Sequence, residues 1–210
     1  AYLDQGEVAP EQLHDPFEQA MRERHVVPVC FVSSKTGTGV RALNEFICKM
    51  LPSPLEGNAP RFVNGSGDEG ESYDVAPDAS KPVLGHVFKI SFDPFVGRQA
   101  VFRLYQGTIK KDAQVFLKDS RKGLKVGNLS SCLGKKLSDS AAAIPGDIML
   151  ISKAEGFAYD AVVRGAHDDN DIQLEAAALP TPMVGVSIAP KSRGDEQKIA
   201  EVLKKLTESD

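Results

Sequence analysis

The stretch VPVCFVSSKTGTGVRAL, residues 27–43, runs from apolar residues through Ser33-Ser34-Lys35 and Thr36-Gly37-Thr38-Gly39 into a helix-like pattern. Strand, small-residue turn and helix together outline a nucleotide loop. A phosphate cradle would need a Gly, four residues, then Gly-Lys-Ser/Thr. Here the only Lys of the loop precedes both glycines. Without further context a polar turn between two elements explains these residues as well. A second group is basic: Lys118, Arg121, Lys122, Lys125, Lys135 and Lys136 gather around one or two turns. They form either a solvated loop or a surface for a phosphate backbone, which is bound by charge rather than by sequence.

The remaining reactive side chains are dispersed. His14, His25, His86 and His167 make no metal spacing with a cysteine, so no metal ligand set is assigned. His86 lies on an apolar strand face and reads as a satisfied core histidine. Cys30, Cys48 and Cys132 are odd in number, and two of them sit in apolar runs. They read as buried free thiols in a reducing cytosol. The acidic run HDDND at 167–171 lacks the Gly and the distal Glu of an EF-hand and reads as a solvated loop. No side chain is assigned a catalytic role.

The chain has 210 residues, a net charge of −4 and 41% hydrophobic residues, which fits one large or two small globular domains. An acidic balance argues against a general nucleic-acid coat and leaves room for a local basic face. No apolar run reaches the roughly 18 residues that span a bilayer. The polar start AYLDQGEVAP has no signal-peptide core, lacks Met, and reads as the middle of a longer protein.

These groups must be positioned by a few elements. Leu13, Phe17, Ala20 and Met21 share a helical face over residues 10–24, with Pro16 as an interruption. HVVPVCFVS, 25–33, reads as a short strand buried on both faces. Val40, Leu43, Ile47, Met50 and Leu51 stripe a second helix, stopped at LPSP. Residues 55–82 are rich in Gly, Pro, Ser and acids and read as a linker, in which only Arg61-Phe62-Val63 can grip anything. From Val83 the apolar period becomes two, and short strands separated by DPFVG, YQGTIKKD, DSRKG and IPGD predict a small antiparallel barrel or sandwich. Phe88, Ile90, Phe102 and Leu104 are its expected core. After LPTP, MVGVSIAP reads as a strand and Ile199, Val202, Leu203 and Leu206 as the face of a last helix, with Ser192 or Asp195 as its cap.

That order resembles bacterial elongation factor G, a translational GTPase. VPVCFVSSKTGTGV is similar to the family's last guanine-binding loop and its strand, and LPSP stands where the family's GTPase domain ends. DPFVGRQAVFRLYQGTIKKDAQV is similar to the opening of its barrel domain, and LPTPMVGVSIAPKSRGDEQKIAEVLKKLTESD to the start of its third domain. KAEG at 153–156, with DPFVG, is closer to the paralogues of the factor than to the main translocase. Tyr159-Asp160-Ala161 stands where the family's usual text has Gly-Asp-Thr.

The resemblance implies an architecture: 1–54 the C-terminal part of a GTPase domain, 55–82 a linker, 83–178 a translation-factor β-barrel, and 179–210 the first strand and helix of a ferredoxin-like domain. It implies that Ser33, Ser34 and Lys35 approach the guanine base, a backbone N–H meeting the base oxygen and the Lys35 stem packing over the ring. It also implies that Lys118, Arg121, Lys122, Lys125, Lys135 and Lys136 contact ribosomal RNA. GTP or GDP, with Mg²⁺, belongs to the intact protein. None is expected on this chain, because it has no P-loop, no Asp-x-x-Gly and no Asn-Lys-x-Asp. The expected protein is a cytoplasmic monomer acting on the ribosome. A free-standing RNA-binding barrel, a fragment of a ribosome-protection GTPase, and a thiol enzyme using Cys30 or Cys132 are the other readings.

Overall fold

The computed structural model describes residues 10–54, 56, 59–65, 70–118, 120, 122–166, 172–175, 181–192 and 194–209. The chain divides into two compact units, 1–58 and 59–210.

In the first unit a 3-10 turn, Pro10–Leu13, leads into helix α1, His14–Arg22, and helix α2 covers Val40–Met50. Pro16 does not break α1. It occupies the first turn, where its missing N–H would have had no helical partner. His14 Nε2 donates to the Lys49 carbonyl at 2.6 Å, and Arg22 Nη1 to the Glu56 carbonyl at 2.6 Å, tying α1 to the end of α2 and the chain beyond it. None of the described residues of this unit is buried. The expected buried strand at 25–33 does not form. That segment has no helix or ladder pairing, and Phe31 is 90% exposed. Apolar composition selects extended backbone, but a strand exists only where a neighbour completes its hydrogen bonds, and none does so among the described residues. Cys30, in that segment, and Cys48, on α2, both expected as buried thiols, are exposed, and Cys132 is exposed on a hairpin.

The second unit is built from antiparallel strands: β1 Phe62–Asn64, β2 Glu71–Tyr73, β3 Leu84–Asp93, β4 Gly97–Gln106, β5 Ile109–Lys110, β6 Gln114–Leu117, β7 Leu124–Lys125, β8 Leu129–Leu133, β9 Lys136–Asp139, β10 Ala142–Ala143, β11 Ile148–Ser152, β12 Val162–Arg164 and β13 Ile172–Leu174. Eight of them form one curled sheet in the order β7-β6-β12-β3-β4-β11-β8-β9, while β5 pairs with β10. This is the expected barrel-type sheet. The core it encloses, together with β5 and the loop after β11, buries Val87, Ile90, Ala100, Phe102, Leu104, Ile109, Val115, Leu129, Met149, Ile151, Phe157 and Val163.

Ile90, Phe102 and Leu104 are core as expected, but Phe88 is not: it is 38% exposed. The ladder explains the difference. Val87 faces Phe102 and Lys89 faces Val101, so Phe88 is the unpaired residue of a bulge. One inserted residue shifts every side chain that precedes it to the other face. Val87 therefore takes the core position that strict alternation assigns to Phe88.

The linker reading of 55–82 needs a similar correction. Phe62 is fully buried, and β1 pairs with β13 on one side and β2 on the other. Phe62, Leu84, Val162 and Ile172 form a second, smaller core, with the Tyr105 ring edge-on to Phe62 at 5.3 Å. Farther on, the buried Gln106 amide donates to the Pro82 carbonyl at 3.0 Å and accepts the Ala76 N–H at 3.3 Å, while the Gly107 N–H donates to the Asp78 carbonyl at 2.9 Å. The composition of 70–82 has little to bury by itself. Its order comes from β1, which pairs with β2, and from Gln106 on β4, about 30 residues away in sequence; β1 is held in turn by β13, about 110 residues away. Residues 55, 57, 58 and 66–69 of that reading lie outside the described residues.

Helix α3, Glu196–Ser209, packs on β3. Arg98 pairs with Glu208, donates to the Phe157 carbonyl at 2.6 Å and lies over the Phe92 ring at 5.5 Å. The segment 183–188, expected as the first strand of a third domain, forms no ladder and is exposed, with Met183 at 94%. Like 25–33, it has no strand partner among the described residues.

Candidate guanine loop and basic turns

The loop at 33–39 closes on itself. The Ser33 N–H donates to the Thr38 carbonyl at 2.9 Å, and the Gly37 N–H to the Ser33 carbonyl at 2.9 Å. Ser33 Oγ accepts the Thr36 N–H at 3.3 Å, and the Thr36 and Thr38 hydroxyls share a hydrogen bond at 2.9 Å. Every anchoring bond uses Ser33, Thr36, Gly37 or Thr38. The N–H groups of Ser34 and Lys35, at the exposed tip, have no partner among the described residues. Two outward N–H donors on a pinned turn suit a carbonyl-type acceptor such as a base oxygen.

Both glycines hold the left-handed conformation, φ 76° each, but for different reasons. A Cβ on Gly37 would meet nothing, whereas one on Gly39 would lie 2.5 Å from the Phe31 carbonyl oxygen. Gly39 is the cap residue of α2, and it makes no side-chain cap. It is the point at which the chain turns back against its own incoming backbone.

The basic residues divide between two hairpins. Lys118, Lys122 and Lys125 belong to the β6–β7 hairpin. Lys135 and Lys136 belong to β8–β9, at the other end of the hydrogen-bonded strand order. Arg121 lies outside the described residues, as does HDDND at 167–171. Lys125 Nζ is 2.8 Å from Asp112 Oδ1. Its hydrogen bond, and then its charge, hold the Asp112 carboxyl below the usual carboxylate range. A phosphate at Lys125 would therefore compete with Asp112. Ser120 Oγ donates to the Lys122 carbonyl at 2.7 Å and braces the turn.

Among the described residues no group of three His, Cys, Asp or Glu could hold a metal ion. No described helix is long and apolar enough to cross a membrane. His86 is buried and bonded, its Nε2 2.7 Å from Asp160 Oδ1. Sequence reasoning found His86 but missed Asp160, which sits 74 residues away with φ 61°. The one local signal was the departure Tyr159-Asp160-Ala161 from the family text.

Residues 82–160 match the family model described as elongation factor G domain 2. The chain is 30% identical over 204 residues to elongation factor G of Chlamydia trachomatis serovar D, covering 97% of this chain and 29% of the relative. It is 29% identical over 208 residues to elongation factor G of Chlamydia caviae, covering 99% of this chain and 29% of the relative. A crystal structure of a protein from Thermus thermophilus superposes with a TM-score of 0.74 at 32% identity, covering all of this chain and 28% of the other. The chain thus spans under a third of the length of the relatives it matches.

Proposed function

The chain belongs to the elongation factor G family, and from that premise we propose that it serves in protein synthesis as part of a GTP-dependent factor acting on the ribosome. In this reading the Ser34 and Lys35 N–H groups meet the oxygen of the guanine base, and the Lys35 methylenes cover the ring. The barrel faces the small ribosomal subunit and places Lys118, Arg121, Lys122 and Lys125 against RNA phosphates, with Lys135 and Lys136 on a second contact. GTP or GDP and Mg²⁺ are bound by the whole factor. The phosphate and metal ligands are not among these 210 residues, so hydrolysis is not assigned to them. The factor works in the cytoplasm as a monomer.

The observation that carries the reading is the extent of the similarity. It runs through 97% of the chain in one order, through loop, barrel and last helix, and is not confined to the barrel. A free-standing RNA-binding barrel would account only for the middle.

Co-sedimentation with small ribosomal subunits at about 50 and about 200 mM salt tests it, because each neutralised phosphate releases condensed counterion. Wild-type binding should fall steeply over that range. Replacing Lys118, Arg121, Lys122 and Lys125 by Ala should weaken binding and reduce the salt slope by about one unit for each phosphate no longer neutralised. Replacing Lys191 and Lys204 should do neither. Equal losses from both variants, or no sedimentation of the wild type, would reject the assignment.

A further inference from the structure

Beside the β6–β7 turn lies a cavity of about 530 Å³, within the size range of small-molecule sites. Its floor is apolar: Leu117, Val162 and Ile172 are all buried. Its rim is Lys118, Tyr159 and Asp160. Tyr159 is 48% exposed, a large ring left facing solvent. The chain on either side of it is fixed. Phe157 is core, and its carbonyl accepts from Arg98 at 2.6 Å. Asp160 donates its N–H to the Val87 carbonyl at 2.9 Å, and its Oδ1 is held by His86 at 2.7 Å. The Tyr159 hydroxyl and the second Asp160 oxygen have no partner among the described residues.

We propose that this cavity captures one unstacked nucleotide of single-stranded RNA, the base stacking on Tyr159, the free Asp160 oxygen accepting from a base N–H or a ribose 2′-hydroxyl, and Lys118 lying at a phosphate. The inference deepens the ribosome reading above and rests on it. Stacking platforms beside a basic groove are how proteins hold single strands. The hairpin that supplies Lys118 also supplies Lys122 and Lys125, so the cavity continues the basic turn rather than standing apart from it. The strained φ of 61° at Asp160, kept by two bonds to β3, aims a carboxylate at a site that a freely chosen turn would not provide. Ligand-free order of this kind lowers the cost of binding.

The test titrates the whole chain with a fluorescein-labelled, unstructured RNA about six nucleotides long, a span of one barrel site. Tyr159→Ala should weaken binding about tenfold, as expected for one lost stacking face, with the salt slope unchanged. Tyr159→Phe should bind as the wild type does, and Asp160→Asn, which also tolerates a left-handed backbone, should lose a few-fold. Thermal melts show whether each variant is folded. Equal affinity of wild type and folded Tyr159→Ala would overturn the proposal, and so would no measurable binding by the wild type. Guanosine monophosphate displacing the RNA as effectively as unlabelled RNA would also overturn it, by making this a free-nucleotide site. Sedimentation with small subunits is scored separately. If it survives while the cavity test fails, the ribosome reading stands without the cavity; if it is lost, that reading falls too.

Discussion

At the scale of single residues, steric room and register decide outcomes that residue type leaves open. Gly37 and Gly39 share a φ of 76°, yet only at Gly39 would an added Cβ lie 2.5 Å from the Phe31 carbonyl oxygen. Gly37→Ala should cost about 1–2 kcal/mol, the left-handed penalty alone. Gly39→Ala should cost more, because the Phe31 carbonyl must also move. Amide exchange at Val40–Leu43 compares the two, and equal exchange rates would mean that the close approach carries no energy. The two phenylalanines of the central hairpin separate in the same way. Phe102→Ala empties a fully buried site and should cost about 3–5 kcal/mol. Phe88→Ala, at the bulge, should cost about 1 kcal/mol or less. Urea melts that rank them in the opposite order would refute the register shift.

Elements here are stabilised by distant partners as much as by their own sequences. Phe62 anchors β1, and β1 joins β2 to β13. Trypsin should spare the bond after Arg61 in the wild type and cut it in Phe62→Ala, since removing the ring frees the strand. Cutting at Arg61 at the same rate in both would restore the linker reading of that segment. In the first unit the bond from His14 to the Lys49 carbonyl favours the charged ring, with Asp15 adding to it, so the His14 pKa is raised above its ordinary value near 6.5. A raised pKa means that the folded form holds the proton more tightly. The contribution is therefore present in full below about 6.5 and is lost as pH rises through the folded value. NMR titration should show His14 titrating above 6.5, with α1–α2 amide protection falling over the same range. A midpoint at or below 6.5 would remove the link.

Taken whole, the molecule keeps its buried apolar area in residues 59–210; none of the described residues of 1–58 is buried. Since burial must outweigh chain entropy, 59–210 made alone should melt cooperatively, near the temperature of the complete chain. Residues 1–58 alone should show no cooperative transition. A non-cooperative melt of 59–210 would show that the barrel depends on the first unit. What the sequence by itself determined was local and periodic. It included both helices beside the 33–39 loop and the last helix, the switch to period two at Val83, and most barrel strands, because helix stripes, turn glycines and alternation are written within a few residues of one another. Ile90, Phe102 and Leu104 were legible as core on that basis, and four ordered stretches made the family legible. The tertiary structure alone decided the rest. The bulge at Phe88 depends on which residues lie opposite on β4. The placement of 62–65 and 70–82 depends on β13 and Gln106. The exposure of 25–33 and 183–188 reflects the lack of a strand neighbour among the described residues, not composition. Asp160 meets His86, and Tyr159 meets the cavity, only when β12 is laid beside β3. In each case the deciding partner lies far along the chain, and pairing between distant segments is fixed by the free energy of the assembled sheet, which no local pattern encodes.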